Sequence, residues 1–90
     1  MATFLVVYDL NGPAQNYVGL EEAIKAITGN WWHHPDSTWI VAYDGAASEL
    51  RDALKPFLED EDDLLVAKMS GEGAWTGFSG SVSDWLMKNL

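Results

Sequence analysis

Three groups of residues in this 90-residue chain carry side chains able to do chemistry. The first is Asp9, which closes the apolar run TFLVVYD (Thr3 to Asp9) and precedes LNG. A carboxylate there can help hold a hard cation such as Mg²⁺ or Mn²⁺, and that metal can activate water for phosphodiester cleavage. The same carboxylate can instead cap the turn, accepting hydrogen bonds from the amides of LNG. The second group is NWWHHPDSTWIVAYD, Asn30 to Asp44. His33 and His34 offer a general base or a metal ligand. Adjacent residues on a strand point to opposite faces, so these two cannot share one metal without a bulge or turn. Asp36, Ser37 and Thr38 beside a histidine evoke a hydroxyl nucleophile, or a hydrogen-bonded turn built from Asp and Ser. The third group is the acid run EDEDD, Glu59 to Asp63. It lacks the spacing of a calcium loop and reads as a solvated turn. The glycine-bearing stretches GEG (71–73) and GFSG (77–80) lack the GxxxxGK[ST] pattern of a phosphate loop and read as connections.

Composition excludes several chemistries. There is no cysteine, hence no disulfide, no thiolate metal site and no cysteine nucleophile. Fourteen acids oppose five bases, for a formal charge of −9. The bases, Lys25, Arg51, Lys55, Lys68 and Lys88, are scattered, whereas binding a phosphate backbone needs them clustered. Such a field repels nucleic acid and anionic membrane and attracts a basic partner. The opening MATFLVVYDL is too short and lacks the basic start of a secretion signal. No segment is long enough to span a bilayer, so a cytoplasmic protein is expected. At 48% hydrophobic, with five Trp, the chain can build one cored domain over 1–90. A domain of this size gains from dimerisation.

The elements that must position these residues follow from pattern. TFLVVYD is a near-continuous apolar run, as in a strand central to a sheet. NYVGLEEAIKAITG reads as a helix with Asn16 as N-cap, Gly29 closing it, and Tyr17, Leu20, Ile24 and Ile27 on one face. NWWHH and STWIVAYD form a hairpin around the turn signal PD. On it Trp31 and His33 share one face, Trp32 and His34 the other, with Trp39 a cross-strand aromatic neighbour. SELRDALKPFL is a second helix carrying Leu50, Leu54, Phe57 and Leu58, ended or kinked by Pro56, which cannot donate to residue 52. LLVAKM is a fourth strand. SVSDWLMKNL is a last helix, with Ser81 and Asp84 resembling a capping box. The order β-α-β-β-α-β plus a terminal helix is an α+β, ferredoxin-like arrangement, with strands one and three central and both main helices on one face. The other face, rich in aromatics, would not stay bare, so a second copy is expected to cover it. Trp75 and Phe78, with Trp31, Trp32 and Trp39 of the hairpin, are the candidate contacts.

The pieces YDL, QNY, GNWWH with STWIV, LRDALKP and DLLVAKM resemble a group of short bacterial and phage proteins labelled the SinR family. That group is similar in turn to the small CRISPR-associated adaptation endonuclease and to virulence-associated protein D. The resemblance spans nearly the whole chain and implies a ferredoxin-like homodimer. In the nuclease relatives an acid ending strand one binds a divalent metal near the dimer two-fold, and Asp9 matches that position. The acidic surface departs from the nucleases. A leading reading and its alternatives follow. The first is a member of the nuclease-like fold with little or no nuclease activity. The alternatives are an acidic interaction protein, such as a phage-encoded inhibitor presenting a nucleic-acid-like surface to a basic protein, and a binder of a small nucleotide.

Overall fold

The computed structural model describes residues 2–11, 18–34 and 38–90, with His34 described by its backbone alone. Asn16, Tyr17, Asp36 and Ser37, singled out in the sequence, lie outside the described residues. The elements run β1 (Ala2–Asp9), α1 (Val18–Ile27), β2 (Asn30–His34), β3 (Thr38–Tyr43), α2 (Ala47–Leu54), a 3-10 turn over Lys55–Phe57, β4 (Asp63–Lys68) and α3 (Gly80–Asn89). This is an α+β architecture. One four-stranded sheet has the order β2-β3-β1-β4, and every neighbouring pair is antiparallel. Strands β1 and β3 therefore stand in the middle.

The pleat of β1 sorts its side chains. Phe4, Val6 and Tyr8 are buried on one face, against Trp39 and Val41 of β3. Helix α1 lays Leu20, Ala23 and Ile24 on that face, and α2 lays Leu50 and Leu54. These side chains close one apolar cluster, the main source of stability for so small a chain. The helix α2 stops at Leu54 and tightens into the 3-10 turn that holds Pro56, as a residue without an amide hydrogen requires. The tighter turn leaves Phe57 exposed, so it does not continue the buried stripe of Leu50 and Leu54.

Two helix ends differ from the sequence pattern. Helix α1 is closed by Thr28, whose amide and Oγ1 both donate to the Ile24 carbonyl at 3.1 and 2.6 Å. Gly29 instead donates to the Ala42 carbonyl at 2.8 Å and opens the β2 ladder. Helix α3 starts one residue before Ser81, with Ser79 as N-cap. The Ser79 hydroxyl takes the capping position because it stands three residues before the Val82 amide that donates to it.

The second sheet face is not bare. The chain covers part of it with α3 and the segment before it. Thr3 Oγ1 donates to the Asn89 carbonyl. Asn30 Nδ2 donates to Asn89 Oδ1 at 2.8 Å, and Trp85 Nε1 donates to Asn30 Oδ1 at 3.1 Å. Phe78 packs edge-on against Trp32 at 5.3 Å. Leu86, on α3, and Ile40, on that face of β3, are both buried. Gly71 and Gly77 supply the positive φ values, 95° and 87°, that turn the chain back. Among the described residues no helix is long and apolar enough to cross a membrane.

Asn30 ties β2 to α3. Asn30→Ala is expected to cost about 1 kcal/mol, since its hydrogen bonds are exposed. Amide exchange should quicken in α3 more than in β1. Equal quickening in both would mean that α3 and the sheet open as one unit.

Candidate functional site

Asp9 ends β1 at the sheet's acidic end, and its strand neighbour there is Asp63, the first residue of β4. Both are exposed, and both sit on the face away from α1 and α2, as does Leu65. Like charges directly opposite on neighbouring strands repel. A shallow cavity of about 200 Å³ lies beside them, lined by Val7, Tyr8, Asp9, Asp63, Leu64 and Leu65. The sequence reads Asp63 as the end of a solvated acidic turn, whereas it heads β4. The signal was present: the β-α-β-β-α-β order sets β4 antiparallel to β1, so the acid heading LLVAK must meet the acid ending TFLVVYD.

Among the described residues, Asp62 caps the turn after β1. Its Oδ1 accepts from the Asn11 amide and its Oδ2 from the Glu59 amide, each at 2.8 Å. One carboxylate thus pins the exit of β1 to the acidic loop. The main-chain carbonyl of Asp9 accepts from Asn11 Nδ2 at 3.4 Å. Among the described residues no three His, Cys, Asp or Glu side chains converge on a point a metal could occupy. A cation at Asp9 would therefore draw on Asp63 and on water.

A larger cavity, about 630 Å³, opens between α2 and the acidic loop. Arg51 and Lys55, one helical turn apart, face Glu59, Asp60 and Asp62 across it. Arg51 Nη2 meets Asp52 Oδ1 at 2.9 Å, both well exposed, and such surface pairs contribute little.

The histidine hairpin is aromatic structure. His33 stacks on Trp39, ring centroids 3.9 Å apart and planes 7° off parallel. Trp31 leans on the same Trp39 at 5.4 Å, and Lys25 Nζ stands 5.0 Å over the Trp31 ring. Trp39 Nε1 donates to the Tyr8 hydroxyl at 3.0 Å. The strand register sets His33 and Trp31 on the helix-covered face, with Trp39, and sets Trp32 opposite Ile40 on the other. It pairs His34 with Thr38. Asp9 and His33 stand on opposite faces, so the fold does not bring them together.

The contact candidates divide. Trp39 is fully buried and offers no surface to a partner, because its ring fills the space between β3 and the helices. Trp75 is half-buried and donates to Ser83 Oγ at 3.1 Å. Phe78 and Trp31 each keep 39% of their surface exposed, and Trp32 is half-buried against Phe78.

Burial pushes the Tyr8 hydroxyl above its ordinary value; the Trp39 bond works in the opposite sense and the nearby Glu21 charge adds to the rise. A raised value favours the neutral phenol in the folded state. Its contribution is intact below the unfolded value of about 10 and is lost as pH rises through the folded value. Thermal melts from pH 9 to 12, a range set by the ordinary tyrosine value, should show alkaline loss of stability that Tyr8→Phe reduces. An unchanged profile in Tyr8→Phe would assign the loss to other groups.

No family model, curated protein or solved structure matches this chain.

Proposed function

We propose that the chain is a ferredoxin-like module of the CRISPR-associated-nuclease-like kind that works as a cytoplasmic homodimer, binding a basic protein rather than cutting nucleic acid. The strand order β2-β3-β1-β4 with antiparallel neighbours supports the ferredoxin-like assignment. One observation carries the choice of binding over hydrolysis: the acid-rich end of the sheet. There Asp9 opposes Asp63 and Asp62 fixes the run Glu59 to Asp63. With a formal charge of −9, this end presents a held negative surface without a convergent metal-ligand set among the described residues. A basic protein that normally meets phosphates would find a similar field here.

The second reading is a metal-dependent phosphodiesterase. It is favoured by the two opposed carboxylates beside a cavity, where Mg²⁺ or Mn²⁺ would relieve their repulsion. Thermal denaturation of wild type and Asp9→Asn, with Mg²⁺ or Mn²⁺ and with chelator, separates the two, run beside a nuclease assay. Ligand binding to the native state raises stability by mass action. The expected result is no metal-dependent stabilisation and no cleavage. Metal stabilisation and cleavage in wild type, both lost in Asp9→Asn, would establish the second reading.

A further inference from the structure

We infer that the outer edge of β4 pairs with the same edge of a second copy about a two-fold axis at Val66. This rests on the homodimer reading and names its interface.

Among the described residues, strand β4 is an outer strand of the sheet, bonded on one side to β1. The Met69 amide donates to the Thr3 carbonyl at 2.8 Å, and the register aligns Phe4 with Lys68. In an antiparallel ladder, hydrogen-bonded and non-bonded pairs alternate. The odd-numbered residues of β4 therefore bond to β1, and the amides and carbonyls of Leu64, Val66 and Lys68 turn outward. Natural edges are guarded by mid-strand charge, proline or a bulge. This edge has none: Leu64, Leu65, Val66 and Ala67 run uninterrupted between Asp63 and Lys68. Leu65 is 56% exposed on the face away from α1 and α2.

The pattern suits its own copy. With the axis at Val66, Leu64 lies opposite Lys68 of the second copy and Val66 opposite itself, so all three outward residues form hydrogen-bonded pairs. Residues on one face stay on one face, as strand addition requires. The two Leu65 side chains become diagonal neighbours and cover each other. Lys68 comes diagonal to Asp62 of the second copy, setting a base beside the acidic end. The acidic loops themselves lie at opposite ends of the joined strands, which keeps two strongly negative copies from colliding at the axis. The Asp9 side chains are then roughly 20 Å apart along the strands, from the rise per residue, too far to share one metal.

The test is light scattering of wild type, Leu65→Lys and Val66→Pro, with amide exchange by NMR on wild type. The Val66 amide points outward, so proline there removes a donor from the dimer and none from the β1 ladder. Wild type should show twice the 9.9 kDa chain mass. Each variant should raise the dissociation constant on the order of tenfold or more, Val66→Pro through lost interface hydrogen bonds and Leu65→Lys through like charges set diagonally across the axis. In wild type, protection at Leu64, Val66 and Lys68 should rise with concentration, while Leu65, Ala67 and Met69 stay protected throughout. If wild type is a dimer whose affinity survives Leu65→Lys and whose Leu64, Val66 and Lys68 amides exchange freely, the edge is wrong and the homodimer stands. If wild type is a monomer at its highest soluble concentration, both fall. Should Val66→Pro fail to fold, Leu65→Lys and the exchange pattern decide.

Discussion

Trp39→Ala is expected to lower stability by about 3–5 kcal/mol, the range for removing a large aromatic from a packed core. Chains of this length hold roughly 5–13 kcal/mol, at 0.05–0.15 kcal/mol per residue, so the loss takes a large share. Three interactions go at once. The ring is fully buried between β3 and the helices. It carries the stack of His33 and the contact of Trp31. Its Nε1 is the donor to the buried Tyr8 hydroxyl, which would be left without that bond. Trp39→Phe keeps much of the volume and should recover part of the loss, while Tyr8→Phe should cost less than either. Urea denaturation followed by circular dichroism measures all three. A loss under about 1 kcal/mol in Trp39→Ala, the size of a surface effect, would mean that the hairpin aromatics do not build this core.

Leu86→Asp is expected to undock α3 from the sheet. Leu86 is 2% exposed, and a carboxylate cannot stay in such a place without a partner or water. The cost of keeping it buried exceeds what the docked helix gains, so the helix leaves. Undocking breaks the contacts of Asn89 with Thr3 and Asn30 and of Trp85 with Asn30. The main core on the other face, with Phe4, Val6, Trp39, Leu50 and Leu54, remains. Trp85 emission should shift to the red, hydrophobic-dye binding should appear, and protection should fall in α3 while holding in β1. Unchanged dye binding and full α3 protection would mean that α3 does not cover the second face.

Much of the α+β layout was legible because its signals are local. The apolar run of β1, the stripe of Leu20, Ile24 and Ile27 and the stop at Pro56 each follow from neighbouring residues. The sharing of a face by Trp31 and His33 follows from strand alternation, whereas the register that stacks His33 on Trp39 does not. What was hidden depends on distant contacts. Glycines and serines in 70–79 mark a connection, and they conceal that Phe78 and Trp75 anchor it to Trp32 and Ser83. Asn30 reads only as the head of the NWWHH strand, yet it bonds two side chains of α3. At the acidic end, Asp9 stood out by position, whereas Asp62 was lost in a run of like residues. Only the fold tells which carboxylate of such a run caps the Asn11 amide.

Binding to a basic protein in place of nucleic acid is tested most directly by fluorescence anisotropy. Labelled DNA and RNA duplexes and a labelled arginine-rich peptide would be titrated with wild type and with Asp9→Asn/Asp63→Asn at about 0.15 M salt, where phosphate contacts govern sequence-independent nucleic-acid affinity. The expected result is peptide binding that weakens with added salt and weakens further in the double variant, with no duplex binding. Tight, salt-dependent binding of a duplex, with none of the peptide, would contradict it.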